Sequence, residues 1–275
     1  MTKGAGMFFP RWWTDWQNFR ANENFSILDV VNSGTVDFKL AGLLWLLMEH
    51  RASVMVAAGP SFAGKTTLLH ALLDFLPPDI HKVSLLGYNE DFKFLDRSKP
   101  DKTYLVAEEI SNHSYEYLWG YQVSKAFELL PRGYALGGTM HARSAKEAVY
   151  VLYRALGIPL SLITQLGVVI TLQVTLGRSY DDEPIRYVDT VSILSSAKEG
   201  LTIQVLSVRQ SPDGKFIYPS DQALQDALSS RFAIKSVPSE IGVREKYLSE
   251  IRDKGVFSRE EVRKAILEYY QSRSS

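Results

Sequence analysis

Residues 53–78, SVMVAAGPSFAGKTTLLHALLDFLPP, decide the fold of this chain. The segment opens with a short apolar run over residues 53–58, which predicts a strand buried on both faces of a parallel sheet. A glycine-bounded loop follows over residues 59–66, and a helical pattern then continues to the proline pair at 77–78. A strand, such a loop and a helix in this order predict that the backbone N–H groups of the loop bind phosphate.

The loop itself matches the pattern G-x-x-x-x-G-K-[ST], in which each marked position has its own task. Gly64 lets the backbone approach a phosphate closely, Lys65 reaches the β- and γ-phosphates, and the Thr66 hydroxyl ligates Mg²⁺. The predicted ligands are therefore the phosphates of a nucleotide and Mg²⁺. The residues expected to bind the nucleotide are Gly59, Pro60, Ser61, Phe62, Ala63, Gly64, Lys65, Thr66 and Thr67.

Such a loop needs an acid at the end of a neighbouring parallel strand. Residues 103–107 predict that strand, and Glu108 and Glu109 follow it directly. One carboxylate at this place holds a metal-bound water or polarises the attacking water. Because neighbouring residues of a strand point to opposite faces, the spacing alone leaves open which glutamate points inward.

A histidine is expected at the same edge of the sheet. His141 follows a predicted strand over residues 134–140 that contains Gly137 and Gly138. Since the carboxyl ends of parallel strands meet at one edge, His141 is predicted to lie near the loop and to sense the γ-phosphate through a hydrogen bond.

Strands and helices alternate up to about residue 178, which predicts an α/β fold with a mostly parallel sheet. A short helix and a buried strand are expected within the uncharged segment 155–177, which Pro159 and Gly167 interrupt and which we therefore do not interpret as a membrane span. The other predicted strands and helices cover residues 82–87 and 168–176, and 25–32, 35–49, 115–130 and 145–156.

Beyond residue 178 the pattern predicts an extension of antiparallel strands followed by helices. The strands are expected over residues 187–194, 201–209 and 215–218. A helix over 240–254 should end at Gly255, and Ser258 with Glu261 forms a capping box that starts the next one. These two helices form either a helix-turn-helix or a helical hairpin packed on the core, and the zero net charge favours the hairpin. The predicted units are residues 1–24, 25–178 and 179–275.

The composition excludes several classes of protein. Apolar residues make up 45% and charged residues 23% of the 275 residues, which excludes disorder by composition. The 31 Lys and Arg balance the 31 Asp and Glu, which argues against a protein that binds nucleic acid through bulk charge. With no cysteine, disulfides and thiolate metal sites are excluded, and a reducing cytosol is a suitable environment.

The first 24 residues are rich in aromatic side chains. They either form a short amphipathic helix packed on the protein itself or anchor the chain to a partner or a membrane surface. No signal peptide is expected, and the apolar run 40–48 is too short to span a bilayer. The aromatic residues concerned are Phe8, Phe9, Trp12, Trp13, Trp16 and Phe19.

With these motifs in this order, most of the chain (about residues 25–270) resembles the motor ATPases of type II and type IV secretion and of type IV pilus assembly. The segments that carry the resemblance are SVMVAAGPSFAGKTTLLHALLDFLPP, DKTYLVAEEIS and GGTMHARSAKEAV. The resemblance implies a RecA-like P-loop NTPase core that works as a hexamer at inner-membrane platform proteins, in the cytoplasm at the inner face of the cell membrane. By the same resemblance the catalytic residues are Lys65, Glu108 and His141, and Mg²⁺ is held by Thr66 and Glu108.

The chain also departs from the family pattern. Phe62 and Ala63 replace a glycine and a serine of the usual loop, Ala107 replaces the glycine before the acid, and Val151 replaces an arginine. The acidic box expected after the second strand reads Leu86-Gly87. With 58 residues before the loop, the family's separate N-terminal domain is expected to be missing or reduced. These departures motivate an alternative, a nucleotide-binding and weakly catalytic subunit of such a machine; a nucleic-acid-translocating ATPase is a third interpretation that the zero net charge disfavours.

Overall fold

The computed structural model describes residues 25–175, 184–198, 200–212 and 214–274. Within them the strands form one sheet of eight, in the order β2-β3-β4-β1-β5-β6-β7-β8. The first five strands in chain order pair in parallel, and β6, β7 and β8 continue the sheet in antiparallel pairing. The strands are β1 Val54–Ala58, β2 His81–Ser84, β3 Thr103–Ile110, β4 Ala135–His141, β5 Val168–Thr175, β6 Ile185–Ala197, β7 Gly200–Arg209 and β8 Phe216–Ile217.

Helices cover both faces of this sheet. The described helices are α1 Ile27–Asn32, α2 Phe38–Glu49, α3 Lys65–Leu73, α4 Tyr121–Leu129, α5 Ala145–Tyr150, α6 Leu160–Leu166, α7 Asp221–Phe232, α8 Val237–Asp253 and α9 Arg259–Ser274. Short 3₁₀ turns connect several of them, and a π-helical turn over Val151–Ala155 extends α5. The predicted α/β class with a mostly parallel sheet is confirmed.

The central strand β1 shows why both faces must be covered. Val54, Val56 and Ala58 pack into a cluster with α1, α2, α3 and the C-terminal helices. Met55 and Ala57 pack into a second cluster with α4, α5 and α6. A strand that is buried on both faces reads as a continuous apolar run, which is how the sequence identified it.

Several elements differ from their predicted bounds: β2, expected over residues 82–87, spans His81–Ser84, and β3 and α4 differ as well. Strand β3 continues to Ile110, so Glu108 and Glu109 lie within the strand rather than after it, beside an irregularity in the pairing with β4. The helix expected from residue 115 begins at Tyr121, because the chain first turns through residues 111–120, where Leu118 bridges to Ile110 and Gly120 adopts φ +62°. The apolar spacing of 115–130 is thus helical only in its second half.

The C-terminal helices pack as a hairpin on the core. Trp45 of α2 stacks on Phe75 with ring centroids 4.9 Å apart, and its Nε1 donates a 2.9 Å hydrogen bond to the Tyr270 hydroxyl. That hydroxyl donates in turn to the Phe75 carbonyl at 2.6 Å. The capping box is confirmed, since Ser258 Oγ accepts from the Glu261 N–H at 3.3 Å. The two C-terminal helices also contact each other, since the Tyr247 hydroxyl of α8 donates to the Ala265 carbonyl of α9 at 2.7 Å. They therefore form the helical hairpin packed on the core.

A bidentate ion pair connects the end of α3 to the start of α9. Arg259 Nε donates to Asp74 Oδ2 at 2.6 Å, and Arg259 Nη2 donates to Asp74 Oδ1 at 3.1 Å. Asp74 is 9% exposed as a residue, so this pair is shielded from solvent on the carboxylate side. The helix that follows the glycine-rich loop is thus tied directly to the C-terminal helical layer.

Several predictions fall outside the described residues. These are the aromatic N-terminus 1–24, the end of the fifth strand at Leu176 and the proposed boundary at residue 178. The division into three units therefore stays a prediction. Within the described ranges, no helix combines the length and the apolar character needed to cross a membrane. The described part of the uncharged segment, residues 155–175, contains α6 and then β5, as the sequence predicted.

Candidate functional site

The loop over residues 59–64 lies between the end of β1 and the first turn of α3. Two of its residues have left-handed backbone conformations, Gly64 at φ +87° and Phe62 at φ +61°. A side chain at Gly59 would approach Arg143 Cγ to 2.7 Å, so glycine is required there by close packing. Pro60 and Ser61 are exposed, whereas Ala63 is buried beneath the loop. The N-terminus of α3 thus opens onto a tightly curved loop, the arrangement that binds anions.

Lys65 is the buried cation of this loop. It is only 7% exposed, and its Nζ atom lies 3.9 Å from Glu109 Oε2. Burial lowers the pKa of the Lys65 ammonium, and the nearby Glu109 carboxylate opposes that effect in part. Among the described residues the buried Lys65 ammonium has one ion-pair partner, so the negative charge of a phosphate in the loop would attract it.

Glu109 lies at the centre of the site. Its Oε1 atom is 2.8 Å from His141 Nε2, and its Oε2 accepts a 3.2 Å hydrogen bond from the Thr139 hydroxyl. The carboxylate side chain is 12% exposed. The other ring nitrogen of His141, Nδ1, lies 3.4 Å from the Gly59 carbonyl oxygen. His141 therefore bridges the acid on β3 and the first residue of the loop, and the structure brings Lys65, Glu109 and His141 together.

Glu108 points to the other face of the sheet. Its Oε1 atom is 2.9 Å from His70 Nε2 on α3, and its side chain is 45% exposed. It borders a polar cavity of about 290 Å³ that is also lined by Lys82 and Arg259. The sequence left open which of the two glutamates points inward, and the structure leaves Glu108 outside the cluster around Lys65.

Thr66 and Thr67 occupy the first turn of α3, where both are half-buried. In the described part of the chain, no group of three His, Asp or Glu side chains is arranged to hold a metal ion by itself. Two side chains can supply oxygen ligands to a metal ion beside the loop, the Thr66 hydroxyl on α3 and the Glu109 carboxylate on β3. This set suits Mg²⁺ bound jointly with the phosphates of a nucleotide, because Mg²⁺ keeps most of its waters and uses few protein ligands.

The loop is flanked by two arginines, Arg143 and Arg186, that the sequence analysis did not select. Arg186 Nε donates to the Phe62 carbonyl at 2.9 Å, and Arg186 lies opposite Val174 in the β5–β6 pairing. Arg143 packs across Gly59 from the other side. Both contacts arise from the tertiary fold. A local signal exists only for Arg143, which stands two positions after His141.

No family model matches the chain. An uncharacterised protein of Methanocaldococcus jannaschii is 26% identical over 170 residues, which is 51% of this chain and 59% of that protein. The match thus spans less than two thirds of the relative's length. Among solved structures, the VirB11 ATPase from the Brucella suis type IV secretion system, in complex with sulphate, matches with a TM-score of 0.38 and 18% identity. That match covers 69% of this chain and 66% of the VirB11 chain.

The observed sheet and the glycine-rich loop at its carboxyl edge define the class of the chain. It is an α/β protein with an NTPase-like fold. Any function beyond that class rests on the residues of the site.

Proposed function

We propose that this chain binds a magnesium nucleoside triphosphate, with ATP as the expected nucleotide, and hydrolyses its terminal phosphate. The observation that carries the proposal is the cluster of Lys65, Glu109 and His141 around the glycine-rich loop. A phosphate-binding loop next to a largely buried carboxylate supplies the two elements that hydrolysis needs, charge neutralisation and a proton acceptor.

Each residue has a distinct task in this proposal. The loop N–H groups and Lys65 bind the phosphate oxygens, and the Thr66 hydroxyl holds Mg²⁺, which neutralises charge on the phosphates. Glu109 accepts a proton from the attacking water at Oε2. His141 donates a hydrogen bond to Glu109 Oε1 and thereby fixes the orientation of the carboxylate. Because Lys65 now neutralises Glu109, the arrival of phosphate would draw the ammonium away and leave the carboxylate free to act as a base.

The sequence motifs support a further part of the proposal. Their resemblance to secretion and pilus motors leads us to propose that hydrolysis powers protein secretion or filament assembly by a ring of subunits. A hexamer acting on membrane platform proteins, at the inner face of the cell membrane, is the corresponding arrangement. Size-exclusion chromatography with and without a non-hydrolysable ATP analogue tests the ring, and a persistent monomer that still hydrolyses ATP would contradict it.

Replacing Lys65 tests the nucleotide site itself. We expect Lys65→Ala to abolish phosphate release from Mg-ATP and to remove the rise in melting temperature that ATP produces, because the phosphates lose their buried cation. Lys93→Ala is the matched control, since the Lys93 side chain is 83% exposed and pairs only with Asp91 among the described residues. Turnover that persists in Lys65→Ala at the wild-type rate would sink the proposal.

A second candidate function is a nucleotide-binding subunit that turns over slowly. The observation that favours it is the position of Glu108, the acid selected by the family pattern. The Glu108 carboxylate lies 2.9 Å from His70 and outside the cluster around Lys65. This candidate predicts thermal stabilisation by Mg-ATP with a hydrolysis rate equal to that of Lys65→Ala. Phosphate release well above that variant would exclude it.

A further inference from the structure

A second polar cleft lies at the opposite edge of the sheet from the glycine-rich loop. It has a volume of about 450 Å³, and its lining includes Arg51 and Arg231 together with several serines. Ser53 places it beside the start of β1, whereas the glycine-rich loop follows the end of that strand. The volume is within the range of sites for small ligands, about 300–1,000 Å³. This cleft plays no part in the proposed hydrolysis.

Arg231 is a cation whose charge is poorly compensated. It lies in the last turn of α7, and its Nη1 donates a 3.0 Å hydrogen bond to the Leu194 carbonyl. Among the described residues it has no carboxylate partner. Burial lowers the pKa of its guanidinium, with no charged group opposing the effect. An arginine that only stabilises the helix dipole can do so from the exposed surface and needs no burial. Arg231 is instead half-buried against Gly167.

Arg51 adds a second cation to the lining of the cleft. Its Nη2 group donates to the carbonyls of Pro100, Gly133 and Thr103 at 2.7, 2.8 and 3.1 Å, which holds the guanidinium in place. Its Nε atom is buried without a hydrogen-bond partner in the described part of the chain. Burial lowers its pKa as well, although Asp101 and Asp79 oppose this at longer range. Arg51 makes no ion pair among the described residues, so its positive charge, rather than the shielded Nε donor, is what it contributes to an anion in the cleft.

The remaining lining supports an anionic ligand. None of the described lining residues is acidic, and the neutral polar groups include Gln165, Ser195, Ser196 and Ser230. The hydroxyls of Ser196 and Ser230 donate to Thr164 and to the Ala227 carbonyl, so the neutral donors that face the cleft include those of Gln165 and Ser195. Guanidinium groups bind phosphate oxygens through paired N–H donors, and amide and hydroxyl groups add further donors. We propose that this cleft is a binding site for a phosphate group, carried either by a small soluble molecule or by a phospholipid headgroup.

The test uses the full chain with Lys65→Ala, so that the glycine-rich loop contributes as little phosphate binding as possible. Pyrophosphate is titrated by calorimetry into this variant and into the same variant with Arg231→Gln. We expect binding in the first and at least tenfold weaker binding in the second. Arg154→Gln is the matched control, because Arg154 is an exposed arginine outside the cleft. Should Arg231→Gln fold poorly, Ser195→Asp places a carboxylate in the cleft and is expected to abolish binding as well.

A second arm separates the two sources of phosphate. The same variants are sedimented with phosphatidylcholine vesicles that contain or lack phosphatidic acid. Binding of pyrophosphate that depends on Arg231 supports a soluble ligand, and Arg231-dependent binding to phosphatidic acid vesicles alone supports a headgroup. Absence of both, or equal binding by Arg231→Gln, overturns the proposal. Since Lys65 is absent throughout, neither result depends on the proposed hydrolysis.

Discussion

Glu109 Oε1 and His141 Nε2 lie 2.8 Å apart, so an acid on β3 and a histidine at the end of β4 form one unit. The strands are neighbours in the sheet, and the pairing of Ile110 with Met140 follows an irregularity after Ala107. This irregularity sets the direction of the carboxylate, because a one-residue shift exchanges the faces to which neighbouring side chains point. Glu109 thereby faces the glycine-rich loop and Glu108 faces away.

The first prediction compares the two adjacent glutamates. Glu109→Gln should lower kcat for ATP hydrolysis by about 100-fold or more, since a proton acceptor contributes roughly that much to a rate. Glu108→Gln should leave kcat within a few-fold of wild type, because the Glu108 carboxylate is 45% exposed and contacts His70 rather than the cluster around Lys65. Steady-state phosphate release measures both. The opposite ranking would return the catalytic role to Glu108, as the family pattern implies.

A second prediction concerns the strained loop position. Phe62 has φ +61°, a left-handed conformation that glycine adopts more readily than other residues. It is 48% exposed, so its ring is not fully buried. The left-handed conformation costs an L-residue about 1–2 kcal/mol, and glycine loses about 0.5–1 kcal/mol through unfolded-state entropy.

Phe62→Gly should therefore leave the free energy of unfolding unchanged or raise it by about 1 kcal/mol. Phe62→Ala separates the two contributions, because alanine removes the ring and keeps the unfavourable φ. Urea unfolding measures all three proteins. The expectation is contradicted if both variants lose the same large amount of unfolding free energy. The Phe62 ring, and not the backbone conformation, would then determine stability at this position.

The third prediction concerns the contact between α2 and α9. Tyr270→Phe removes a hydroxyl that accepts from Trp45 Nε1 and donates to the Phe75 carbonyl. Two buried polar groups would lose this partner, at about 1–3 kcal/mol each. We expect the free energy of unfolding to fall by about 2–6 kcal/mol. Tyr121→Phe is the control, since Tyr121 is 70% exposed and should change little.

The fourth prediction concerns stability in acid. The hydrogen bond from Arg273, with a further one from Arg244, lowers the pKa of Glu240 to about 2 from its ordinary 4.5. A carboxylate with a depressed pKa stabilises the fold above pH 4.5 and loses this contribution as the pH falls to about 2. The contribution amounts to at most about 3 kcal/mol, because each tenfold change in acidity corresponds to about 1.4 kcal/mol.

Urea unfolding between pH 7 and pH 3 tests this contribution. Glu240→Gln should be less stable than wild type at pH 7, and the difference between the two proteins should shrink as the pH falls. Glu260→Gln serves as the control, because Glu260 is exposed on α9 and makes no ion pair among the described residues. An undiminished difference at low pH would contradict the role of the Glu240 carboxylate.

The glycine-rich loop and the α/β class were predictable because their signals are local. Gly64 and Lys65 belong to one short pattern, and the apolar run of β1 is contiguous. The position of Glu109 was not predictable, since it depends on how β3 pairs with β4. The contact of Arg186 with Phe62 was not predictable either, because it requires the sheet to continue through β6. Local patterns therefore identified the glycine-rich loop, whereas strand pairing determines which side chains surround it.

The ion pair between Asp74 and Arg259 has a mechanical consequence. Asp74 immediately follows α3, the helix whose first turn carries Lys65, and Arg259 begins α9. The two hydrogen bonds fix the position of Arg259 relative to the end of α3, so they connect the helix that carries Lys65 to the C-terminal helical layer. A displacement of α3 on phosphate binding would therefore either carry Arg259 with it or break an ion pair that is shielded from solvent on the carboxylate side.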